Sequence, residues 1–309
     1  MNIILGGGLA GLITKFYNPD YVVFTKDIGG QFSNKFQLGP RFLHKNIYTS
    51  KFVQDVYEAF DFNTKTKTIN VGYYYDGTVH KECPTDLAVQ YYLKSRRIKD
   101  ADVNIAKQGI MSNSQNKYDV FDFDFSLFIK KMTEKYGNSI KLAMLKHIHL
   151  QDQRLYLYDV AYKDIETTCQ YYQLISTIPL NYFLQFAGNE LYDKLQYSSI
   201  YFCMAENPYV GMYDYVYFPT NEKPYYRATY NDNYVTYEFS DYKAYTKFIG
   251  EISALHQMTM EIGHVIDLKN ESFSFPFIEF IGRLATWQHK DRLEKVVEHA
   301  QYLAGSMGI

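Results

Sequence analysis

Cysteine, tryptophan and proline are scarce in this chain, whose 309 residues include 3, 1 and 8 of them. Cys83, Cys169 and Cys203 stand far apart, with no CxxC and no metal-ligand spacing. That excludes a disulfide framework and suits packing thiols in a reducing compartment. Long apolar runs are missing too. No stretch approaches the roughly 18 residues that span a bilayer, and glycines interrupt the apolar start NIIL too early for a signal peptide. The expectation is a cytoplasmic protein with no membrane partner. Neither sign of charge is in excess, since 32 Lys+Arg against 34 Asp+Glu leave a formal net charge of -2. No global positive field therefore indicates nucleic acid as a partner, and any such contact is local. Ser-His-Asp order, HExxH, a Walker lysine motif and zinc-ligand spacing are also absent.

Aromatic rings are abundant: 32 Tyr and 22 Phe. Tyrosine buries its ring while its hydroxyl finds a partner, so a Tyr-rich core and surface is the plainer reading and an aromatic recognition surface the sharper one. A chain of this length makes one large α/β domain, or a cofactor domain carrying a smaller insertion.

The pattern along the chain opens as strand, glycine turn, helix and strand: Asn2 to Leu5, Gly6 to Gly8, about Leu9 to Tyr17, then Tyr21 to Thr25. A helix is expected from about Ser50 to Phe60. Asp76-Gly77 marks a hairpin between Val71–Tyr75 and Thr78–Glu82. Thr85 to about Asn116 reads as a small helical insertion, followed by a helix over Phe125 to Tyr136. HIHLQ, RLYLYDV and YYQLISTIPL resemble a meander, and Tyr197 to Phe239 a second antiparallel sheet. A long helix over Tyr242 to Ile262, a buried strand at Phe277 to Ile281 and a last helix from about Asp291 complete the pattern. On that last helix Leu293, Val296, Val297, Ala300 and Leu303 share a face.

Gly6, Gly8 and Gly11 fit GxGxxG between a strand and a helix. The first glycine permits the tight turn, the second lets the backbone approach a pyrophosphate, and the third allows close helix-sheet packing. With Leu9 and Ala10, they put the amides of a helix N-terminus in reach of phosphate. The acidic residue expected to hold a ribose at the end of the second strand is replaced by Thr25, with Asp27 two residues on. His147 and His149 share a strand face, but lack a carboxylate or cysteine to complete a metal site. Asp122 and Asp124 read as a helix cap region.

Beyond the second strand, DIGGQFSNKFQLGPRFLHKN resembles the UDP-galactopyranose mutases and, more broadly, the amine-oxidase-like flavoproteins. Ile28-Gly29-Gly30 matches their IGG turn, and Gly39-Pro40-Arg41-Phe42-Leu43-His44 their GPHxFHT-like segment. Phe280-Ile281-Gly282-Arg283-Leu284-Ala285 looks like their FGGRLA, followed by Trp287, His289 and Asp291. LISTIPL and Lys223-Pro224-Tyr225-Tyr226-Arg227 match two further segments. The resemblance implies a Rossmann-like FAD-binding domain with an antiparallel substrate sheet and a small helical insertion. The segments are 1–84 (FAD domain, first part), 85–118 (insertion), 119–180 (FAD domain, second part), 181–262 (substrate-side sheet and helix) and 263–309 (closing part).

The cofactor implied is FAD, held by Gly6, Gly8, Leu9, Ala10, Gly11, Thr25, Asp27, Gly29, Gly30, Gln31, Arg41, Gly282, Arg283 and Asp291. His44 and His289 would be ring-adjacent proton carriers, and Arg227, Tyr226 and Trp287 substrate contacts. The chain departs from the mutases in its short insertion, in FDFDFSLFIKKM replacing a GGY segment, and in Trp287, His289 and Lys290 replacing late tyrosines. Those losses argue against UDP-galactopyranose turnover. The reading is an FAD-dependent oxidoreductase or lyase that draws hydride from a carbon beside N or O of a small or nucleotide-linked substrate. Some flavoenzymes of this kind act on modified thymidines in phage DNA. A mutase-like enzyme using reduced FAD on a nucleotide sugar and a non-catalytic flavin-binding protein are the alternatives. Lys94, Arg96, Arg97 and Lys99 read as a solvated helix face or a phosphate-binding cluster.

Overall fold

The computed structural model describes residues 1–32, 42–96, 117–161, 166–207, 212–231, 233–265, 273–288 and 291–306. It opens with β1 (Asn2–Gly8), α1 (Leu9–Tyr17) and β2 (Val22–Gly29). Side chains alternate across a strand, and here both faces are covered. Ile4 enters one core with Leu12, Phe52, Phe128 and Val297, while Ile3 and Leu5 enter another with Leu155, Phe183 and Trp287. β1 is thus a central strand. In parallel with it run β2, β10 (Gln173–Ser176) and, beyond β10, β16 (Ile278–Phe280). β7 (Ile140–His149) extends the sheet past β2, and β8 (Arg154–Asp159) and β9 (Glu166–Gln170) continue it antiparallel. The expected meander therefore ends at β9. Leu174 and Ile175 are fully buried, and that two-sided burial draws β10 back to pair with β1.

The helices that follow α1 among the described residues are α2 (Ile47–Phe60), α3 (Thr85–Arg96), α4 (Phe125–Tyr136), α5 (Leu180–Phe186), α6 (Tyr242–Glu251), α7 (Arg283–Thr286) and α8 (Leu293–Ser306). α2 starts before Ser50 because Asn46 and Thr49 form a reciprocal capping box, each side chain taking the other's backbone N–H at 2.9 Å. Asp124 accepts from the Leu127 N–H at 2.9 Å and caps α4. The α8 face holding Val296, Val297, Ala300 and Leu303 is buried. Tyr17 ties three helices together, donating to Asp55 at 2.7 Å and accepting from Gln301 at 2.8 Å.

A second sheet, mostly antiparallel, stands beside the first. Its order is β15 (His256–Val265), β11 (Tyr197–Glu206), β14 (Tyr234–Phe239), β13 (Arg227–Tyr230), β12 (Tyr215–Tyr217), β4 (Lys65–Tyr75), β6 (Lys117–Asp122) and β3 (Leu43–His44). β5 (Thr78–His80) pairs with β4 through the expected turn, where Asp76 (φ 51°) and Gly77 (φ 75°) are both left-handed. The expected long helix over Tyr242 to Ile262 is corrected. It stops at Glu251, and the chain returns as edge strand β15, in which Gln257, Thr259 and Glu261 are exposed and alternate with half-buried Met258 and Met260. That period of two is a strand signal.

Lys15 is a polar element of the α1–β2 connection and is fully buried. Its ammonium donates to the carbonyls of Pro19 and Tyr21. Lys15→Met keeps the stem but strips both carbonyls of their donor. At about 1–3 kcal/mol for a buried unsatisfied group, urea unfolding should report a loss of about 2 kcal/mol; an unchanged midpoint would mean that water replaces the ammonium.

Candidate functional site

The first part of the site is the turn from β1 into α1. Gly6 adopts φ 106°, and a methyl group on Gly11 would stand 1.9 Å from the Gly6 carbonyl oxygen. Thr177 donates towards the Leu5 and Gly6 carbonyls at 3.1 and 3.2 Å, holding the turn from the next strand. Gly29 and Gly30, with φ 90° and 54°, bring the end of β2 against it, so that a methyl on Gly30 would stand 3.2 Å from Gly8 Cα. Gly8 itself has no atom within 4 Å of where a Cβ would be. Gly6, Gly11 and Gly30 are thus spent on close packing, and Gly8 faces open space at a helix N-terminus whose first turn holds no acid. Thr25 packs against Gly7 and donates its hydroxyl to the Asp27 carbonyl at 2.5 Å, whereas Asp27 is exposed. Gln31 is followed only through its backbone, and Arg41 lies outside the described residues.

The chain's far end closes on this turn. Gly282, at φ 96°, comes so near α1 that a methyl there would stand 3.3 Å from Ala10 Cβ. Arg283 follows at the start of α7. It is half-buried, and among the described residues its guanidinium has no hydrogen-bond or ion-pair partner. Burial first, then the neighbouring Arg292, Arg96 and Arg227, lowers its pKa to about 10. Asp291 is half-buried just before α8, its N–H donating to Gln288 O at 3.1 Å. His44 lies within electrostatic reach of Glu294 and Arg292, and its ring meets Tyr118 edge-on at 5.5 Å. Burial lowers its pKa, so the imidazole is neutral at pH 7. His289 lies outside the described residues.

The second sheet supplies the opposite wall. Arg227 forks onto Glu238, Nε to Oε1 at 2.7 Å and Nη2 to Oε2 at 2.6 Å, while the Tyr226 hydroxyl donates to Oε2 at 2.8 Å. Glu238 and Tyr226 are fully buried. Tyr226 therefore backs the carboxylate from behind. Tyr217 is the hub of an aromatic cluster, with ring centroids 4.6 Å from Tyr91, 5.2 Å from Tyr215 and 5.6 Å from Tyr73. His264, from β15, faces Arg96, Arg227 and Arg283, and burial together with those cations holds it neutral.

The structure therefore brings together the β1–α1 turn, Gly29, Gly30, Gly282, Arg283, His44 and Arg227. Trp287 is placed differently from expectation. Its ring is fully buried in the core, edge-on to Tyr197 at 6.2 Å, and its indole N–H has no acceptor among the described residues. The reading of Lys94 and Arg96 as a solvated face is also corrected. Lys94 donates to the carbonyls of Phe218, Thr220 and Lys223 at 3.0, 2.5 and 2.8 Å, and Arg96 is buried with its guanidinium 3.5 Å from the Tyr92 ring centroid. Lys94 pins the loop leading to Tyr226 and Arg227, which leaves it no donor for a phosphate. Arg97 and Lys99 lie outside the described residues.

Sequence reasoning missed Glu238, His264 and Arg292. Glu238 had a signal, because it stands directly across the β13–β14 hairpin from Arg227. His147 and His149 have ring centroids 6.3 Å apart, and among the described residues no three His, Cys, Asp or Glu side chains converge as a metal site.

No protein-family model matches the chain, and no curated protein matches it in sequence. Solved structures do match. Reduced UDP-galactopyranose mutase superimposes with a TM-score of 0.69 at 13% identity, covering 98% of this chain and 93% of that one. Cyclohexylamine oxidase from Brevibacterium oxydans IH-35A gives 0.64 at 10% identity, over 99% and 98%. Putrescine oxidase bound to putrescine gives 0.61 at 10% identity, over 99% and 98%. The chain has the fold of the mutase and the amine oxidases. In that mutase-type fold the two sheets of this chain stand as its Rossmann-like and antiparallel layers. Among the described residues no helix is long and apolar enough to cross a membrane.

Four substitutions check this geometry. Gly11→Ala, forced onto a backbone oxygen, should cost several kcal/mol in urea unfolding, as strained backbone positions and overpacking each cost about 1–3. Gly8→Ala should leave unfolding within about 0.5 kcal/mol of the parent. Arg227→Ala strands the Glu238 carboxylate and should cost about 3 kcal/mol. Pairing it with Glu238→Gln should recover part of that loss, and failure to recover would show that Glu238 is solvated.

Proposed function

We propose that this chain is an FAD-dependent enzyme, an oxidoreductase or lyase acting on a small or nucleotide-linked substrate that bears an acidic group. The observation that carries this reading is the meeting of the open Gly8 turn, through the Gly282–Ala10 contact, with Arg283, whose guanidinium has no partner among the described residues. An open glycine at a helix N-terminus is a cradle for a diphosphate, and an orphaned guanidinium beyond it calls for a further acceptor. The residues thus fit the group. The amides of Leu9 and Ala10 would hold the diphosphate, Gly29 and Gly30 give it room, and Asp27 is the carboxylate nearest the place of the missing ribose ligand. When bound, FAD supplies acceptance of hydride from a carbon beside N or O.

The chain's own residues narrow the substrate. Arg283 lies within electrostatic reach of Arg96, Arg227 and Arg292, with Glu294 the acid acting on it among the described residues. Glu238 is already committed to Arg227 and Tyr226. A cationic amine would meet repulsion there, whereas a carboxylate or phosphate would be attracted. Neutral His44 is placed to accept a proton. The same excess of guanidinium groups favours, as a second reading, mutase-like action on a nucleotide sugar with reduced FAD.

Purified protein should be yellow and release FAD on denaturation. Gly8→Val should weaken FAD uptake at least tenfold while the melting temperature of FAD-free protein stays the same. Bleaching by an acidic substrate supports the oxidoreductase reading; turnover only after dithionite supports the mutase one. A colourless protein that cannot be reconstituted would sink both.

A further inference from the structure

Between β12 and β13 the chain runs from Tyr217 to Arg227 through a connection that is neither helix nor strand, with Asn221, Glu222 and Pro224 exposed. Its ends meet where the Phe218 N–H donates to the Tyr226 carbonyl at 2.9 Å. Within it the carbonyls of Phe218, Thr220 and Lys223 converge on the Lys94 ammonium at 3.0, 2.5 and 2.8 Å. An ammonium has three N–H groups, and all are used. Lys94 reaches this place because α3 is fastened to the sheet on both sides of it. The Ser240 hydroxyl, just beyond β14, donates to the Lys94 carbonyl at 2.6 Å. One turn earlier in α3, Tyr91 sets its ring 4.6 Å from that of Tyr217 and 6.0 Å from that of Tyr226, which stand at the two ends of the connection. α3 therefore holds the connection at its ends through a ring and in its middle through an ammonium.

What the connection delivers is Arg227, the first residue of β13, which stands opposite Glu238 in β14 and Tyr217 in β12. Two of its five N–H groups go to Glu238, and the other three have no partner among the described residues. With 19% of the side chain exposed, the direction in which those three point depends on where the start of β13 stands. Carbonyls stripped of their donor would seek other partners and carry that start with them. We propose that Lys94 is a positioning residue for the substrate's acidic group: by gathering three carbonyls it fixes the start of β13, and through it the aim of the free Arg227 N–H groups. This gives the small helical insertion a part in recognition. The proposal rests on the acidic-substrate reading above, with Arg227 as the anchor.

The test uses FAD-loaded protein and inorganic pyrophosphate, with the dissociation constant measured by isothermal titration calorimetry. Lys94→Met should weaken binding about tenfold in the parent, but by less than about twofold where Arg227→Ala and Glu238→Gln are already present, because a residue acting through another then has nothing to act on. Lys94→Gln, which keeps two N–H donors, should fall between. Nuclear magnetic resonance should show the Arg227 Nε–H exchanging with solvent at least about tenfold faster in Lys94→Met while the β1 amides keep their protection, whereas general loosening of the fold would move both. Unchanged pyrophosphate binding or unchanged Arg227 exchange in Lys94→Met, or an equal loss in both backgrounds, would overturn this role alone. A parent that does not bind pyrophosphate would overturn the acidic-substrate reading with it, and protein that takes up no FAD the cofactor reading.

Discussion

The constraint on which the site depends is the approach of Gly282 to Ala10, where a methyl group on Gly282 would stand 3.3 Å from Ala10 Cβ. It joins the last segment of the chain to the first helix, and what surrounds it follows from that junction. α8 can bury its apolar face on α1 only if the preceding strand, β16, delivers it there, and β16 does so by running parallel to β10 and β1. Arg283 is then carried to within reach of Arg227, although one opens helix α7 and the other opens strand β13.

The wall opposite this junction is organised by one buried carboxylate. Glu238 accepts three hydrogen bonds, two from Arg227 and one from Tyr226, and has no exposed surface. Burying a charge in this way is costly unless it is fully paired. Here the pairing fixes the plane of the Arg227 guanidinium, and Lys94 does the same for the loop before it by collecting three carbonyls. The tyrosines that make the composition unusual are divided between the two faces of the second sheet. Tyr73, Tyr91, Tyr215 and Tyr217 gather on the side of Arg227, and Tyr74, Tyr225 and Tyr237 pack beneath α6 with Phe218 and Phe248. A phenol suits both places, since its ring adds to the core and its hydroxyl can face a polar space.

Local signals were legible where local physics decided the outcome. The bounds of α1 and α4, the Asp76-Gly77 turn and the apolar face of α8 could be read directly, because periodicity, capping and left-handed turn residues act over a few positions. Ile278–Phe280 was legible as a strand for the same reason, although Glu279 is exposed and only Ile278 of the three is buried. Two readings failed where partners far along the chain decided. Gln173–Ser176 looked like the last strand of a meander until its two-sided burial beside β1 determined its pairing. His256–Val265 was absorbed into a helix, although its alternation fits an edge strand once β11 is there to receive it.

By itself the sequence determined the β-turn-α opening, the glycines that make its turn, and the turn that joins β4 to β5. Each is a short-range steric or hydrogen-bonding requirement that nearby residues satisfy. Only the tertiary structure decided which charges face one another: that Arg227 is held by Glu238, that Lys94 turns inward, that Trp287 is sealed in the core, and that the Arg283 guanidinium has no partner among the described residues. Electrostatic surroundings depend on distances between residues up to about two hundred positions apart in the chain, and such distances exist only after the two sheets have closed on each other.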